Sequence, residues 1–302
     1  MSVAEGTVPE RLDLESLGKP IRGPEALTDD WRRFWHLTFN IARAQWKMRF
    51  FGSALGYLWQ LVRPLLLFSV LYVFFTKIGH VGQGPTAAPG RPEHLYGAQL
   101  LGSIVLYTFF AEATMGAVRS VLDNETLVRK IQFPRLVIPL SVVLLALFNL
   151  ALNLVVVFIF ALISGVRPML TWAELPLIIL MLGVLSTGIA MLLSSLFIYF
   201  RDVQPIWEVV LQVIFYASPV IVPLTAVQAK LSPTLVKLYM MNPLATALQQ
   251  FRHAVINHPA PGASVPLGGN LILLAPLGIV VAVFVLGFVV FNRTAPYVAE
   301  NL

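Results

Sequence analysis

"LVIPLSVVLLALFNLALNLVVVFIFALI" (136–163) runs through 28 residues without one Asp, Glu, Lys or Arg. A helix needs about 20 such residues to cross the roughly 30 Å hydrocarbon core of a bilayer. The stretch is long enough and uniform enough to span a membrane, and the flanking sequence repeats the pattern. Five further stretches qualify, at about 54–77, 98–118, 175–200, 206–222 and 271–291. The last of these is also free of charge, the second span carries only Glu112, and the first only Arg63 before Lys77 at its end. The fifth is short, with Pro219 and Pro223 breaking its outer end.

Composition agrees. Of the 302 residues 57% are apolar and 12% charged, against about 25% charged in soluble domains. The expected class is an all-α integral membrane protein with six spans. A β-barrel is excluded, because the segments are too long and do not alternate in polarity. The chain has no cysteine, so disulfides and thiolate metal sites are excluded. Residues 1–29 are polar and acidic on balance and lack an apolar core; they read as a flexible tail, not a cleaved signal. The net charge of +6 suits membrane topology better than nucleic acid. With both termini cytoplasmic, fourteen Lys/Arg fall on the inner side and six on the outer, with Arg63 inside a span. The positive-inside rule favours that orientation.

Two segments read as amphipathic. Residues 30–50 interleave Trp31, Trp35, Phe39 and Trp46 with Arg32, Arg33, Arg43, Lys47 and Arg49, as in a helix lying on anionic headgroups. In 241–256, Asn242 is a candidate N-cap with Pro243 at the first helical position. Leu244, Ala247, Leu248, Phe251 and Val255 would form one apolar stripe opposite Gln249, Gln250 and His253. This helix belongs to an outer segment, 223–269, which is rich in Pro and apolar residues and is expected to form a re-entrant hairpin closing the outer leaflet. No internal repeat is visible.

Residues that carry chemistry are few. The five histidines show no ligand spacing, and no P-loop, zinc-binding HExxH or nucleophile elbow occurs. ATP chemistry must therefore come from another chain, and no metal site is expected in this one. Ionisable residues within spans are costly. Arg63 either snorkels to the inner headgroups or serves the path. Glu112 calls for an ion pair, with Arg119 or Arg63, more than for a proton relay. Glu208, near the cytoplasmic boundary, would be stabilised by a helix N-terminus. Glu208, Gln212, Phe215 and Pro219 share one face of span 5, with Tyr216 beside it; Gly56, Gln60 and Arg63 share a face of span 1. Such polar faces point to protein or water rather than lipid. They act either as helix–helix glue or, with Tyr107, as the lining of a polar, aromatic-edged conduit.

Four stretches resemble ABC-2-type polysaccharide export permeases. "FFGSALGYLWQLVRPLLLFSVLYVFF" (50–75) is similar to their first span, and "NETLVRKIQFPRLVIPLS" (124–141) to their first cytoplasmic loop. "IYFRDVQPIWEVVLQVIFYASPVIVP" (198–223) resembles their Arg-Asp turn, here Arg201 and Asp202, with the span after it. "NPLATALQQFR" (242–252) looks like their outer hairpin element. The resemblance covers about 31–293 in the family's order, with O-antigen, teichoic acid and galactan exporters most similar. It implies a half-transporter: two copies forming the path, two ABC ATPase subunits holding ATP and Mg2+, and a lipid-linked polysaccharide as cargo in a bacterial cytoplasmic membrane. It also implies that the first loop forms a short coupling helix docked on the ATPase. Asp123 would cap it, Leu127, Val128 and Ile131 would form its apolar side, and Arg129 and Lys130 its charged side. Glu125, Phe133 and Arg135 complete that set. The outer closure would involve Pro219, Asn242, Pro243, Leu248 and Phe251. Two other functions compete: an exporter of drugs or small lipids, and a membrane enzyme acting on polyprenyl-linked sugars. The enzyme would need paired carboxylates, which Glu112, Asp202 and Glu208 do not form.

Overall fold

The computed structural model describes residues 31–50, 56, 58–78, 93–125, 134–256, 262–269 and 273–294. Twelve α-helices follow one another among these residues. They are α1 (Trp31–Phe50), α2 (Leu58–Val73), α3 (Glu93–Val118), α4 (Ser120–Asp123), α5 (Val137–Ile163), α6 (Leu175–Tyr199) and α7 (Val203–Ala217). α8 (Leu224–Gln228), α9 (Pro233–Met240), α10 (Pro243–Ile256), α11 (Ser264–Leu267) and α12 (Leu274–Thr294) complete the order. A π-helical turn, Phe74–Ile78, extends α2, and a 3-10 turn, Leu170–Glu174, leads into α6. There is no strand among the described residues.

Five helical stretches are long and apolar enough to cross a membrane: Leu58–Ile78, Leu95–Val118, Val137–Ile163, Leu170–Tyr199 and Leu274–Thr294. The remaining expected span, 206–222, is the 15-residue α7, only about 22 Å long at 1.5 Å per residue. It stops because Ser218 turns extended (ψ 158°) and Pro219 follows. The sixth crossing therefore stays an expectation.

α3 is the hub. Two thirds of its membrane window (67%) is buried within the chain, against 17% for α2 and 22% for α12. Its small and branched residues, among them Ala98, Leu101, Ile104, Ala113 and Ala117, sit in the main apolar core with α5, α6 and α10. α12 reaches the bundle through α6. The two helices cross at Gly188 and Gly287, where a Cβ on Gly188 would come within 2.7 Å of the Phe284 Cα. Glycine alone permits that approach, the means by which membrane helices gain packing without a hydrophobic driving force. Pro64 lies inside α2; it removes the backbone bond to the Gln60 carbonyl and bends the helix there. α1 lies against the inner half of α5, with Phe34, Thr38 and Ala42 buried and Arg32, Arg43, Lys47 and Arg49 exposed.

One expectation changes sign. α10 begins at Pro243 and ends at Ile256 as anticipated, but it is not amphipathic in its surroundings: twelve of its fourteen residues are buried, Gln249 and Arg252 included. α3, α6, α12 and the 170–174 turn enclose it. Polar spacing on a helix reveals a second face but not whether other protein covers that face.

Candidate functional site

α7 is attached to the bundle along one edge. The Tyr107 hydroxyl donates to the Leu211 carbonyl at 2.5 Å and the Trp207 Nε1–H to Thr114 Oγ1 at 3.1 Å. Phe215 stands edge-on to Tyr107, 4.9 Å between centroids, and to Tyr216 at 5.3 Å. The other side of α7 is open. Glu208, Gln212 and Tyr216, at successive four-residue intervals, are all exposed, beside exposed Ile206, Val209 and Val213. Glu208 is the sixth residue of α7, beyond the first turn in which a helix dipole acts. The N-terminal stabilisation expected for it is therefore absent. Arg201 and Asp202 form the exposed turn before α7; Asp202 is its N-cap position but makes no side-chain cap bond.

The expected face of α2 divides. Gln60 is buried and turned inward, its Nε2 donating to Glu112 Oε1 at 2.8 Å. Asn149 Nδ2 donates to the other oxygen, Glu112 Oε2, at 2.9 Å. Glu112 thus joins α2, α3 and α5 through two amides. The ion pair anticipated with Arg119 or Arg63 does not form. Arg119 instead lies 3.9 Å from Asp123, nearly two turns beyond Glu112. Arg63 is exposed, its guanidinium 5.9 Å from the Trp59 ring centre. Arg63 and Glu112 line a cavity of about 670 Å³ with Gln45, Arg49, Asp123 and Asn124. Both charges lie in one recess at the foot of α2, α3 and α5, whose remaining walls are largely apolar, Ala111, Met115, Val142 and Leu145 among them.

At the other end of the bundle, Asn242 accepts the Leu244 N–H on Oδ1 at 3.0 Å, capping α10. Leu248 and Phe251 are fully buried, and the Phe251 ring lies directly on Gly102 of α3. Arg252, one of the six Lys/Arg expected on the outer side, is buried. Its Nε donates to Ser103 Oγ at 3.1 Å, and its Nη2 donates to the Val220 carbonyl at 2.9 Å and to that of Pro219. Tyr96 donates to the Ile221 carbonyl at 3.2 Å. These donors satisfy the non-helical backbone that follows α7, which must be met by protein at membrane depth. Burial pulls the Arg252 pKa down to about 10, so the guanidinium is still charged at neutral pH. Gln250 donates to Glu174 at 2.6 Å and accepts the Ala263 N–H at 2.9 Å. α10 is thus held in the bundle by buried apolar contacts and by these polar bonds together. Pairs such as Arg252–Ser103 are 149 residues apart; no local pattern announces them.

Of the coupling set, Leu127, Val128, Arg129, Lys130, Ile131 and Phe133 lie outside the described residues. Asp123 closes α4 instead of preceding the next helical residue, Glu125; Asn124 holds that position. Arg135, at the foot of α5, is buried, and its Nε and Nη1 have no hydrogen-bond partner. Burial lowers its pKa. Among the described residues no three His, Asp or Glu side chains converge as metal donors.

The model of the ABC-2 type transporter family matches residues 36–256. Two O-antigen export system permease proteins RfbA of Klebsiella pneumoniae are each 28% identical over 212 residues, 70% of this chain and 76% of theirs. The permease of the same name from Myxococcus xanthus is 25% identical over 229 residues, 75% of this chain and 83% of its own.

Proposed function

The chain belongs to the ABC-2 type transporter family, and from that premise we propose that it is the membrane half of an ATP-driven exporter of a lipid-linked polysaccharide. The polymer is of O-antigen or galactan type, carried on a polyprenyl pyrophosphate. The similar permeases of known name serve O-antigen export, which supports the polysaccharide class. The observation that carries the reading is the open face of α7. A carboxylate, an amide and a tyrosine (Glu208, Gln212 and Tyr216) stand exposed along one side of α7; if α7 crosses the bilayer, such groups face protein or water rather than lipid.

A second copy placed about a two-fold axis would put the same face on both sides of one path. Aromatic rings beside hydrogen-bonding groups suit sugars, which present both C–H faces and hydroxyls. In this arrangement α7 with the following 218–222 segment makes the sixth crossing, and both termini are cytoplasmic. The recess holding Arg49 and Arg63 faces the inner leaflet, where guanidiniums bind phosphates bidentately; it would take the pyrophosphate. Gln60, buried against Glu112, supports this recess from within the bundle. Pro219, Asn242, Pro243, Leu248 and Phe251 form the outer gate, seated on α3 through Phe251 and Gly102.

Two ABC ATPase subunits, with ATP and Mg2+, would dock on the first cytoplasmic loop, whose foot carries the buried, incompletely paired Arg135. A buried cation with unused donors is costly, and a carboxylate from a partner would relieve it. The test is to purify the chain with its ATPase and identify the retained lipid by mass spectrometry. A polyprenyl-linked glycan is expected; retention of only drug-like molecules or simple lipids would overturn the polysaccharide reading.

A further inference from the structure

A second cavity, about 800 Å³, opens on the far side of the bundle and has no part in the path just described. Its walls come from α1, α5, α6 and α12, with no residue of α2, α3 or α7. Trp31, Phe34 and Trp35 of α1 form its floor. Leu136 to Leu147 of α5 and Met191 to Pro176 of α6 form its long sides, and Phe284 and Phe288 of α12 its end. The lining is apolar apart from Thr187, whose hydroxyl is already bonded to the Gly183 carbonyl at 2.8 Å. From Leu136 to Leu147 the wall rises eleven steps, about 16 Å at 1.5 Å per residue, and along α6 from Met191 to Pro176 fifteen steps, about 22 Å. One leaflet contributes about 15 Å, half of the roughly 30 Å hydrocarbon core. The groove is therefore at least one leaflet deep, measured from the level of α1.

Three occupants compete for this groove, and composition and geometry separate them. Residues 1–30 adjoin Trp31 but hold seven Asp/Glu and three Lys/Arg, a poor filling for an apolar slot. A second copy joined through α7 would sit across α3 from the groove, leaving it open to the bilayer. A membrane lipid fits on both counts. Its chain matches the depth and apolarity. At the floor the helix turns outward Trp31 and Trp35, 62% and 40% exposed, next to exposed Arg32. Indole rings at the headgroup level and an adjacent guanidinium favour an anionic head.

We propose that the groove between α1, α5, α6 and α12 is a specific site for an anionic glycerophospholipid, one acyl chain against α6 and the phosphate beside Arg32. The site rests on the orientation given above, with α1 on the cytoplasmic headgroups, but not on which polymer is exported. The lipid would fill the space under α1 and hold that helix against the bundle.

Gly183 supplies the test. It lines the groove, and a Cβ built on it meets nothing within 4 Å, so a larger side chain there fills the slot without displacing protein. The full-length chain, delipidated in detergent, is titrated with phosphatidylglycerol and separately with phosphatidylcholine of the same chains, and the thermal midpoint is read. No nucleotide or polymer is present, so the outcome is independent of the export reading. Phosphatidylglycerol should raise the midpoint more than phosphatidylcholine. Gly183→Trp should keep the lipid-free midpoint and lose the rise, and Arg32→Gln should bring the two lipids to the same response. If Gly183→Trp fails to fold, Gly183→Leu is read by native mass spectrometry for retained phosphatidylglycerol, which should fall several-fold. A Gly183 variant that responds to, or retains, lipid as the parent does would overturn the site. Equal response of the parent to both lipids would overturn the anionic head. Cross-linking of two chains through Thr187→Cys would show that a second copy covers the groove, and would also overturn it.

Discussion

Arg252 decides what kind of structure closes the outer end. Its guanidinium serves Ser103 of α3 and two carbonyls, those of Pro219 and Val220, that no helix satisfies. Hydrogen bonds to a charged group contribute about 1.5–3 kcal/mol each, and a buried group left unpaired costs as much again. Arg252→Gln should therefore lower stability by about 3 kcal/mol or more, seen as a fall of the thermal midpoint in detergent. Arg252→Lys, with its single nitrogen, should fall between Gln and wild type. An unchanged midpoint in Arg252→Gln would mean the carbonyls are met another way. Glu112 makes a parallel case with opposite charge. Glu112→Leu strands the Gln60 and Asn149 amides, whereas removal of both Gln60 and Glu112 should cost less than the sum of the single changes. A coupling of about 0.5–3 kcal/mol in that cycle is the expected size; additivity would contradict the contact.

At the scale of elements, the α6–α12 crossing depends on two glycines meeting backbone to backbone. Gly287→Leu should separate the helices and cost at least the 1–3 kcal/mol, roughly, of overpacking, whereas Gly278→Leu, with open space beside it, should be near neutral. The contrast between the two variants in one unfolding assay checks the crossing. Phe251→Asp should now unfold the outer end, since Phe251 sits in the main core against Gly102, and leave no protein with a merely loosened seal. Helices were the part of this molecule most legible in the sequence. Charge-free runs placed α5 and α12 within a few residues, and Asn-Pro marked the start of α10. What each helix face meets was not legible. Periodicity put Gln60 beside Arg63 on one side of α2, yet Gln60 turns inward to the Glu112 carboxylate while Arg63 stays exposed. The polar side of α10 likewise looked solvent-facing until α3 and the 170–174 turn were seen to cover it. Glu112 was singled out from its depth alone, but its partners lie 52 and 37 residues away, and amides are invisible to a search for opposite charge.

At the scale of the whole molecule, the described helices make a bundle with one hub, α3, and two dissimilar sides. One side carries the polar face of α7 and the arginine recess; the other carries the apolar groove over α1. A single chain does not surround the α7 face, which is why a two-fold pair is central to the account. The chain has no cysteine, so a thiol placed at Gln212 is the sole reporter. Gln212→Cys, assembled with its ATPase in membrane vesicles, should react with a membrane-impermeant thiol reagent in one nucleotide state and be protected in another. It should also cross-link to the Gln212→Cys of a second copy through a short bismaleimide. Labelling that ignores nucleotide, together with no cross-link in any state, would contradict a shared path along α7.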